Sequence, residues 1–453
     1  MDFRFLLLIP LLISSTVVYV VELARHGLRT PTQFMPWDEG IWSVGPGQLT
    51  PEGMRQHFLI GTELRNRYIN NTKLLSSSYY KPEVSFYSTD YDRTLMSAMS
   101  QLSGLYPPET GPSLKNSSLN QLAKPPIYIE NFNETIEELG DAALPNNIQV
   151  VPVFTGLNQD DIILLPSFSC PKYQYISNFN SNSSAVQSLI KKNANLFETI
   201  SNVMDISIEE AINISPQLLD SLIINNAYGN TRNIPAPFNE QFLQQAVALS
   251  NQITQIIYYT PEVMSQLSGS QFLRQLSTLL NESQSNPNST LKFSLFLAHD
   301  SSLLNVLSAL KLPNLENPTF ASTILFELIS DENKNFYVQV YYNDILQTIP
   351  TCGSTLCPFY NFMRFIELRS FPNITNACIF NSAEENWGDL AEAENEEFPV
   401  AGKGDDWNLR WYGWLAIAFC SAVIMALGIA VTVLIRDFKA KRGKKKYVEM
   451  WER

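Results

Sequence analysis

Arg25, His26 and Arg29 fall within five consecutive positions of this chain. Guanidinium forks bind tetrahedral oxyanions through paired, charge-assisted hydrogen bonds. A histidine among them can attack phosphorus through a ring nitrogen, dividing hydrolysis into two steps through a phosphohistidine. Gly27 leaves room there for a ligand against the backbone. On spacing alone, an ordinary cationic loop is the stronger reading. His299 and Asp300 form a second pair of interest. A carboxylic acid beside a phosphate can protonate the leaving oxygen, and a second histidine can hold phosphate oxygens. By itself Asp300 reads first as a helix cap. Arg93 is a cation at a helix start, where the helix dipole disfavours one. A bound phosphate would relieve that cost, and so would pairing with Asp90 or Asp92. His57 shares a helix face with Ile60, Leu64 and Tyr68 and reads as a satisfied core histidine.

These groups need elements to position them. Val17 to Leu23 is an apolar run that reads as a buried strand ending at Arg25-His26-Gly27. Thr50 and Pro51 read as cap and first turn of a helix. Val84 to Ser88 is a second strand, followed by a helix from about Arg93 to Leu105 with Leu95, Met99 and Leu102 on one face. Leu291 to Ala298 is a third strand, ending at His299-Asp300 before a helix over Ser301 to Leu310. Ile324 to Leu328 and Phe336 to Tyr342 read as a hairpin around a polar turn. Strands alternating with helices predict an α/β fold, a central mostly parallel sheet with helices on both faces. Such sheets put ligands where strands end and helices begin, where both histidine motifs and Arg93 fall. Residues 151–239, rich in Asn, Ser, Gln and Ile, read as a smaller, mainly α-helical cap insert. Its helical stretches lie near Ala185 to Met204 and Pro216 to Asn226. The catalytic domain then comprises residues 16–150 and 240–381.

The 453-residue chain has a formal net charge of −13, which excludes the basic face of a nucleic-acid binder. A phosphate ester would need an arginine-lined pocket in this acidic body. Phe5 to Ile13 is apolar but too short to span a bilayer, so residues 1–15 read as a signal peptide. Residues 382–410 read as an acidic stalk. Trp411 to Ile435 is free of charge and long enough for a single C-terminal transmembrane helix. Lysines and arginines follow at once, which puts residues 436–453 in the cytosol and the body in a lumen or outside. Sequons at Asn70, Asn116, Asn133, Asn182, Asn213, Asn281, Asn288 and Asn373 all precede that segment. Cys420 lies within it, leaving Cys170, Cys352, Cys357 and Cys378 for two disulfides. Three pairings are open. Cys352 with Cys357, across a short turn, is the favoured pair, leaving Cys170 with Cys378. Tyr447-Val448-Glu449-Met450 has the form of a tyrosine sorting signal, which would make a sorting adaptor a partner of the tail.

Arg25-His26-Gly27-Leu28-Arg29-Thr30-Pro31 resembles the RHGxRxP signature of the acid phosphatase branch of the histidine phosphatase superfamily. Ala298-His299-Asp300 is similar to its later His-Asp element. Ser88 to Met99 resembles the segment carrying its third arginine, and Gln48 to His57 a further family segment. The resemblance runs from about Val17 to Cys378 and is nearest the lysosomal and prostatic members. It implies His26 as nucleophile, Asp300 as proton donor, and Arg25, Arg29, Arg93 and His299 as the phosphate pocket. Cys170 before Pro171, and Cys352/Cys357 before Pro358, resemble two of the family's bridges. Four lumenal cysteines leave no third.

The expected function is hydrolysis of small-molecule phosphate monoesters without metal or cofactor. No Cys is followed six positions later by Arg, and three histidines are too few for the usual two-metal phosphatase sites. A phytase-like or lysophospholipid phosphatase of the same family is the alternative, as is a catalytically inactive receptor or adhesion ectodomain on this fold. A homodimer is a family expectation only. The expected compartment is a lysosomal, endosomal or food-vacuole membrane, with the cell surface second.

Overall fold

The computed structural model describes residues 15–115, 122–286, 288–312 and 316–380. The expected signal peptide, save Ser15, the expected stalk, transmembrane segment and cytosolic tail with Tyr447 and Met450, and the sequon at Asn116 lie outside the described residues. Among the described residues no helix is long and apolar enough to cross a membrane.

The sheet is assembled around β1 (Ser15–Arg25). Along it Tyr19, Val21 and Leu23 point into one core cluster and Val20 and Ala24 into another. All five are fully buried, which is why the strand reads as one apolar run rather than an alternation. The chain continues through α1 (Pro51–Leu64), β2 (Val84–Ser88), α2 (Asp92–Leu105), α3 (Phe132–Leu139) and β3 (Phe154–Thr155). After the helical region come β4 (Phe293–Ala298), α11 (Asp300–Ala309), β5 (Thr323–Asp331), β6 (Phe336–Tyr342), β7 (Ile345–Leu346), β8 (Cys357–Pro358), α12 (Phe359–Arg369) and α13 (Ile374–Ala377). Strand order is β3-β2-β4-β1-β5-β6-β7, with β8 beside β6.

The expectation of a mostly parallel sheet needs correction. β3, β2, β4 and β1 pair in parallel, but β5 returns antiparallel to β1, and β6, β7 and β8 extend that half antiparallel. The sheet is mixed because the hairpin read in the sequence joins it directly, without a crossover helix to restore the direction. Helices cover both faces. α1 and α2 pack on one cluster, and α11, α12 and α10 (Glu262–Ser285) on the other.

α1 starts as its sequence predicts: the Thr50 side chain accepts from the Gly53 N–H, and Pro51 opens the first turn. α1 and α2 cross closely at two glycines. A Cβ on Gly61 would lie 1.8 Å from the Gln101 carbonyl oxygen, and one on Gly104 would lie 2.1 Å from that of Phe58. This crossing overrides the apolar pattern of α2. Thr94, Ser97, Ala98 and Gln101 are buried, and Met99, expected on the inner face, is 53% exposed.

The helical region contains α4 (Pro166–Ser169), α5 (Pro171–Ser181), α6 (Ser184–Lys192), α7 (Ala194–Met204), α8 (Ile208–Tyr228) and α9 (Glu240–Tyr259). The stretch expected as one helix near Ala185 to Met204 is broken at Asn193, whose side chain donates to the Leu189 carbonyl and stops the first helix. Pro216 does not start a helix. α8 begins at Ser207, with a capping box to Glu210, and runs through the proline. The Ile212 carbonyl that Pro216 cannot serve accepts the Ser215 hydroxyl at 2.8 Å instead. A separate core joins α7, α8 and α9 and includes Met35 and Trp37 from the loop after the first motif. Asp38 fastens this contact, accepting from Ser221 Oγ at 2.8 Å and Asn225 Nδ2 at 2.6 Å. Disulfides join Cys170 to Cys378 and Cys352 to Cys357.

Candidate active site

β2, β4 and β1 lie side by side and parallel, so their C-terminal ends share one edge of the sheet. Arg25 and His26 leave β1, Arg93 begins α2 just beyond β2, and His299 with Asp300 joins β4 to α11. The residues singled out in the sequence therefore meet. The His26 and His299 rings lie 5.5 Å apart edge to face. Arg25 Nη2 pairs with Asp300 Oδ2 at 2.8 Å. Arg93 Nη2 approaches His299 Nδ1 at 3.5 Å.

His26 is buried, and its Nδ1 lies 2.8 Å from the Gly27 carbonyl oxygen. A carbonyl only accepts, so Nδ1 carries the hydrogen and Nε2 keeps its lone pair. Burial, then the cations Arg25 and the ring of His299, hold the His26 pKa well below the ordinary imidazole value. The ring therefore stays neutral and nucleophilic in acid. Its backbone is pinned on both sides: His26 N–H donates to Ala298, and its carbonyl accepts from Ala321 N–H. Gly27 has a different reason from the one expected. A Cβ there would lie 2.3 Å from the Gly53 carbonyl oxygen, so helix α1, not a ligand, demands the glycine.

The arginines are held by partners from several elements. Arg25 donates to the Pro318 carbonyl, and its guanidinium lies 4.2 Å from the Phe320 ring centroid. Arg29 makes two bonds of 2.9 Å to the carboxylate of Asp220 on α8. Asp220 Oδ2 also accepts from the Thr32 N–H and hydroxyl. Arg93 stacks over Tyr91 at 4.5 Å; of the two alternatives open in the sequence, pairing with Asp90 or Asp92 is not what holds it. After these bonds, the Nε atoms of Arg25, Arg29 and Arg93 are all buried without a hydrogen-bond partner. Three cations with unmet donor capacity at one edge of the sheet suit an oxyanion.

His299 is held by a chain of hydroxyls. With Nδ1 toward Arg93, its Nε2–H donates to Thr89 Oγ1 at 3.1 Å, which donates to Thr94 Oγ1. Burial and Arg93 lower its pKa, against Asp300. For Asp300, burial works to raise the pKa, but Arg25 and His299 prevail and it stands below the ordinary aspartate value. Its side chain is 40% exposed, so the pair with Arg25 counts for more than burial. Sequence reasoning missed Asp220 and Phe320. Asp220 lies in the diverged cap and Phe320 in an irregular loop, and neither carries a local motif.

Beneath the first motif lies a second polar row. His57 Nε2 donates to the Arg25 carbonyl at 3.0 Å, and its Nδ1 lies 2.8 Å from the Gln101 amide. That amide reaches Glu22 at 2.7 Å. All three side chains are at most 1% exposed. Burial pushes Glu22 up to about 8, against the charge of Arg67. It pushes His57 down to about 4. The row is thus neutral, with a protonated Glu22 donating to the Gln101 carbonyl and the amide NH2 donating to Nδ1. The amide's oxygen and nitrogen are interchangeable by a half-turn.

Residues 16–343 match the histidine phosphatase superfamily (branch 2). The chain is 30% identical over 382 residues to the lysosomal acid phosphatase of Bos taurus, covering 80% of each. It is 28% identical over 366 residues to the prostatic acid phosphatase of Homo sapiens, covering 78% of this chain and 86% of that one. Its fold is similar to that of Hafnia alvei phytase in complex with tartrate, with a TM-score of 0.57 and 18% identity over 81% of this chain and 99% of that one. The match over most of its length and the shared identity with these phosphatases mean that the chain belongs to branch 2 of the histidine phosphatase superfamily, among the histidine acid phosphatases.

Proposed function

We propose that the protein is an acid phosphatase that hydrolyses phosphate monoesters through a phosphohistidine on His26. The observation that carries this reading is the meeting of His26 with His299, Arg93, Arg25 and Asp300 at one edge of the sheet, with His26 Nδ1 bonded to the Gly27 carbonyl so that the lone pair lies on Nε2. Arg25, Arg29 and Arg93, and His299 once the bound phosphate turns its Nδ1 from acceptor to protonated donor, take the phosphoryl oxygens and neutralise the charge spread over them in a loose transition state. His26 Nε2 forms the bond to phosphorus as the bond to the ester oxygen breaks, and Asp300 gives its proton to the departing alkoxide. The Asp300 carboxylate then takes a proton from water as that water attacks phosphorus, restoring His26 and releasing phosphate.

Acidity enters through the substrate. In the free site Asp300 is an ionised partner of Arg25, so low pH alone does not arm it. A phosphate monoester loses its second proton at a pKa of about 6, so below that pH it arrives as a monoanion with one proton to pass to Asp300. Arg25 then turns from Asp300 to the phosphate. The intact set of six pocket residues supports turnover over an inactive ectodomain. The decisive assay is phosphate release near pH 5 by wild type and His26→Ala; equal rates would remove the reading.

The acidic optimum expected here fits a lysosomal or endosomal lumen, and several relatives are named lysosomal. Support for a membrane-anchored lumenal body comes from the uncharged run Trp411 to Ile435 and the basic residues after it. The seven sequon asparagines at 70, 133, 182, 213, 281, 288 and 373 are all exposed, as glycan attachment requires.

A further inference from the structure

Two fully buried threonines stand behind the ring of His299: Thr89, just past the end of β2, and Thr94, in the first turn of α2. The sheet aligns the first of them. β2 runs in parallel register with β4, and the Thr89 N–H continues that ladder to the Leu297 carbonyl at 3.1 Å, just before His299. Tyr91 meets the His299 ring edge to face at 5.0 Å and His26 meets it at 5.5 Å, and these contacts hold its plane.

The direction of the hydroxyl chain is settled at its far end. Thr94 Oγ1 lies 2.8 Å from the Tyr91 carbonyl and 2.9 Å from the Thr89 carbonyl. Carbonyls only accept, so the single Thr94 hydroxyl hydrogen is spent on them. The Thr89 hydroxyl then donates to Thr94 Oγ1 at 3.0 Å and keeps no hydrogen for the imidazole. Toward His299 Nε2, at 3.1 Å, it accepts. The neutral ring is therefore the Nε2–H tautomer, and the lone pair on Nδ1 faces Arg93 and the phosphate pocket.

Charge enters this ring when an anion does. Burial, Arg93, Arg25 and Arg29 oppose a proton on His299 and Asp300 favours one, and the ring is neutral in the free site. A phosphate among the three arginines offsets their charge. Nδ1 then takes a proton from the acidic medium, the substrate's own being passed to Asp300. Both ring nitrogens now donate, Nδ1 to a phosphate oxygen and Nε2 to Thr89. The bond to Thr89 changes from neutral to charge-assisted, which is about twice as strong. Thr89 thus favours the occupied site over the empty one without touching the substrate.

We propose that Thr89, backed by Thr94, is a positioning residue for phosphate: it locks His299 with Nδ1 toward the anion and strengthens its own bond as that ring becomes cationic. This rests on the phosphatase reading of the same site. Calorimetry with inorganic phosphate at pH 5 on the full-length protein measures the effect. Thr89→Val should weaken phosphate about five- to tenfold, and Thr89→Ser, which keeps the hydroxyl, should stay within about twofold of wild type. Thr94→Val frees the Thr89 hydrogen to point at Nε2 and should weaken phosphate in the same direction. An unaltered affinity in folded Thr89→Val, or a Ser variant as weak as the Val one, overturns the proposal.

The tautomer is read without a variant. The chain has three histidines, so ¹⁵N-histidine labelling leaves three pairs of ring nitrogens to assign. His299 should carry its hydrogen on Nε2 in the free protein and on both nitrogens with saturating phosphate. A hydrogen on Nδ1 in the free protein overturns the proposal. Neither measurement needs turnover. Thr89-dependent phosphate binding in a protein that hydrolyses no ester would keep the positioning role and remove the phosphatase. Hydrolysis with an affinity indifferent to Thr89 would do the reverse.

Discussion

The Nδ1 hydrogen of His26 is held by the Gly27 carbonyl, so in the proposed reaction the attack passes through Nε2. In the same proposal the proton for the leaving group comes from Asp300. Its replacement should therefore be felt in proportion to the leaving group's need for a proton. Asp300→Asn should lower kcat for alkyl phosphates by about 10²- to 10⁴-fold and far less for p-nitrophenyl phosphate, whose phenolate leaves unaided; equal losses on both would count against Asp300 as the acid. Arg93 tests the oxyanion pocket. It is held by Tyr91 and His299 rather than by a carboxylate, so Arg93→Ala removes a cation without stranding an anion. A loss of roughly 10²- to 10³-fold in kcat/KM is expected, with the melting temperature little changed. At this scale the six residues were legible in the sequence because all fall within five residues of the ends of β1, β2 and β4, in short runs that follow apolar strands. Asp220 and Phe320 were not, because they are brought in by the fold from elements with no motif of their own.

At the scale of elements, the row Glu22–Gln101–His57 ties β1, α2 and α1 together below the nucleophile, and its proton count sets a pH dependence. Glu22 stands at about 8 in the folded protein against an ordinary 4.5, and His57 at about 4 against 6.5. Between pH 4.5 and 6.5 the unfolded chain keeps one proton on the histidine and the folded chain keeps one on the glutamate, so the pair contributes no slope. Above pH 6.5 the unfolded histidine deprotonates while the folded glutamate does not, and stability falls as pH rises to about 8. Below pH 4.5 the unfolded glutamate takes up a proton first, and stability falls again until His57 titrates near 4. The charges facing the row are Arg67, and Glu327, which Tyr68 binds from the same side. In Glu22→Gln only the histidine remains. Its melting temperature should rise from pH 4.5 to 6.5 and then level off, whereas wild type stays level and then loses on the order of 2 kcal/mol by pH 8. Parallel curves would show that Glu22 is ionised when folded. The core role of His57 was readable from its helix face, but its partners were not, since Glu22 interrupts an otherwise apolar strand without any local sign of why. The buried face of α2 was misread for a related reason. Gly61 and Gly104 let two backbones approach so closely that small and polar side chains, not Leu95 and Met99, occupy the interface.

Across the described residues, the cap is joined to the body by specific polar contacts and by apolar packing of Leu164, Leu165, Tyr173 and Ile176. Asp220 clamps Arg29 and Thr32 to α8, and Asp38 clamps the following loop to the same helix. Asp220→Asn should loosen Arg29 and raise KM for small phosphates several-fold while leaving the disulfides and the sheet intact; an unchanged KM would mean that Arg29 is positioned by the body alone. The Cys170–Cys378 bridge closes a loop of 208 residues that contains α5 to α9. Chain entropy for a loop of that length gives about 5 kcal/mol, so Cys378→Ser should lower the melting temperature markedly, whereas Cys352→Ser, whose bridge spans 5 residues, should lower it much less. The α/β class and the strand-end location of the site were legible at this scale from strand–helix alternation. The sheet's mixed direction was not, because a hairpin pattern does not say which strand it joins.

The central claim is that His26 carries the phosphoryl group. Full-length protein mixed with a ³²P-labelled aryl phosphate at pH 5, quenched in alkali and digested, measures it directly. An acid-labile, alkali-stable label on the peptide containing His26 in wild type, absent in His26→Ala, is the predicted result. A label on another residue, or turnover that persists in His26→Ala, would contradict the account.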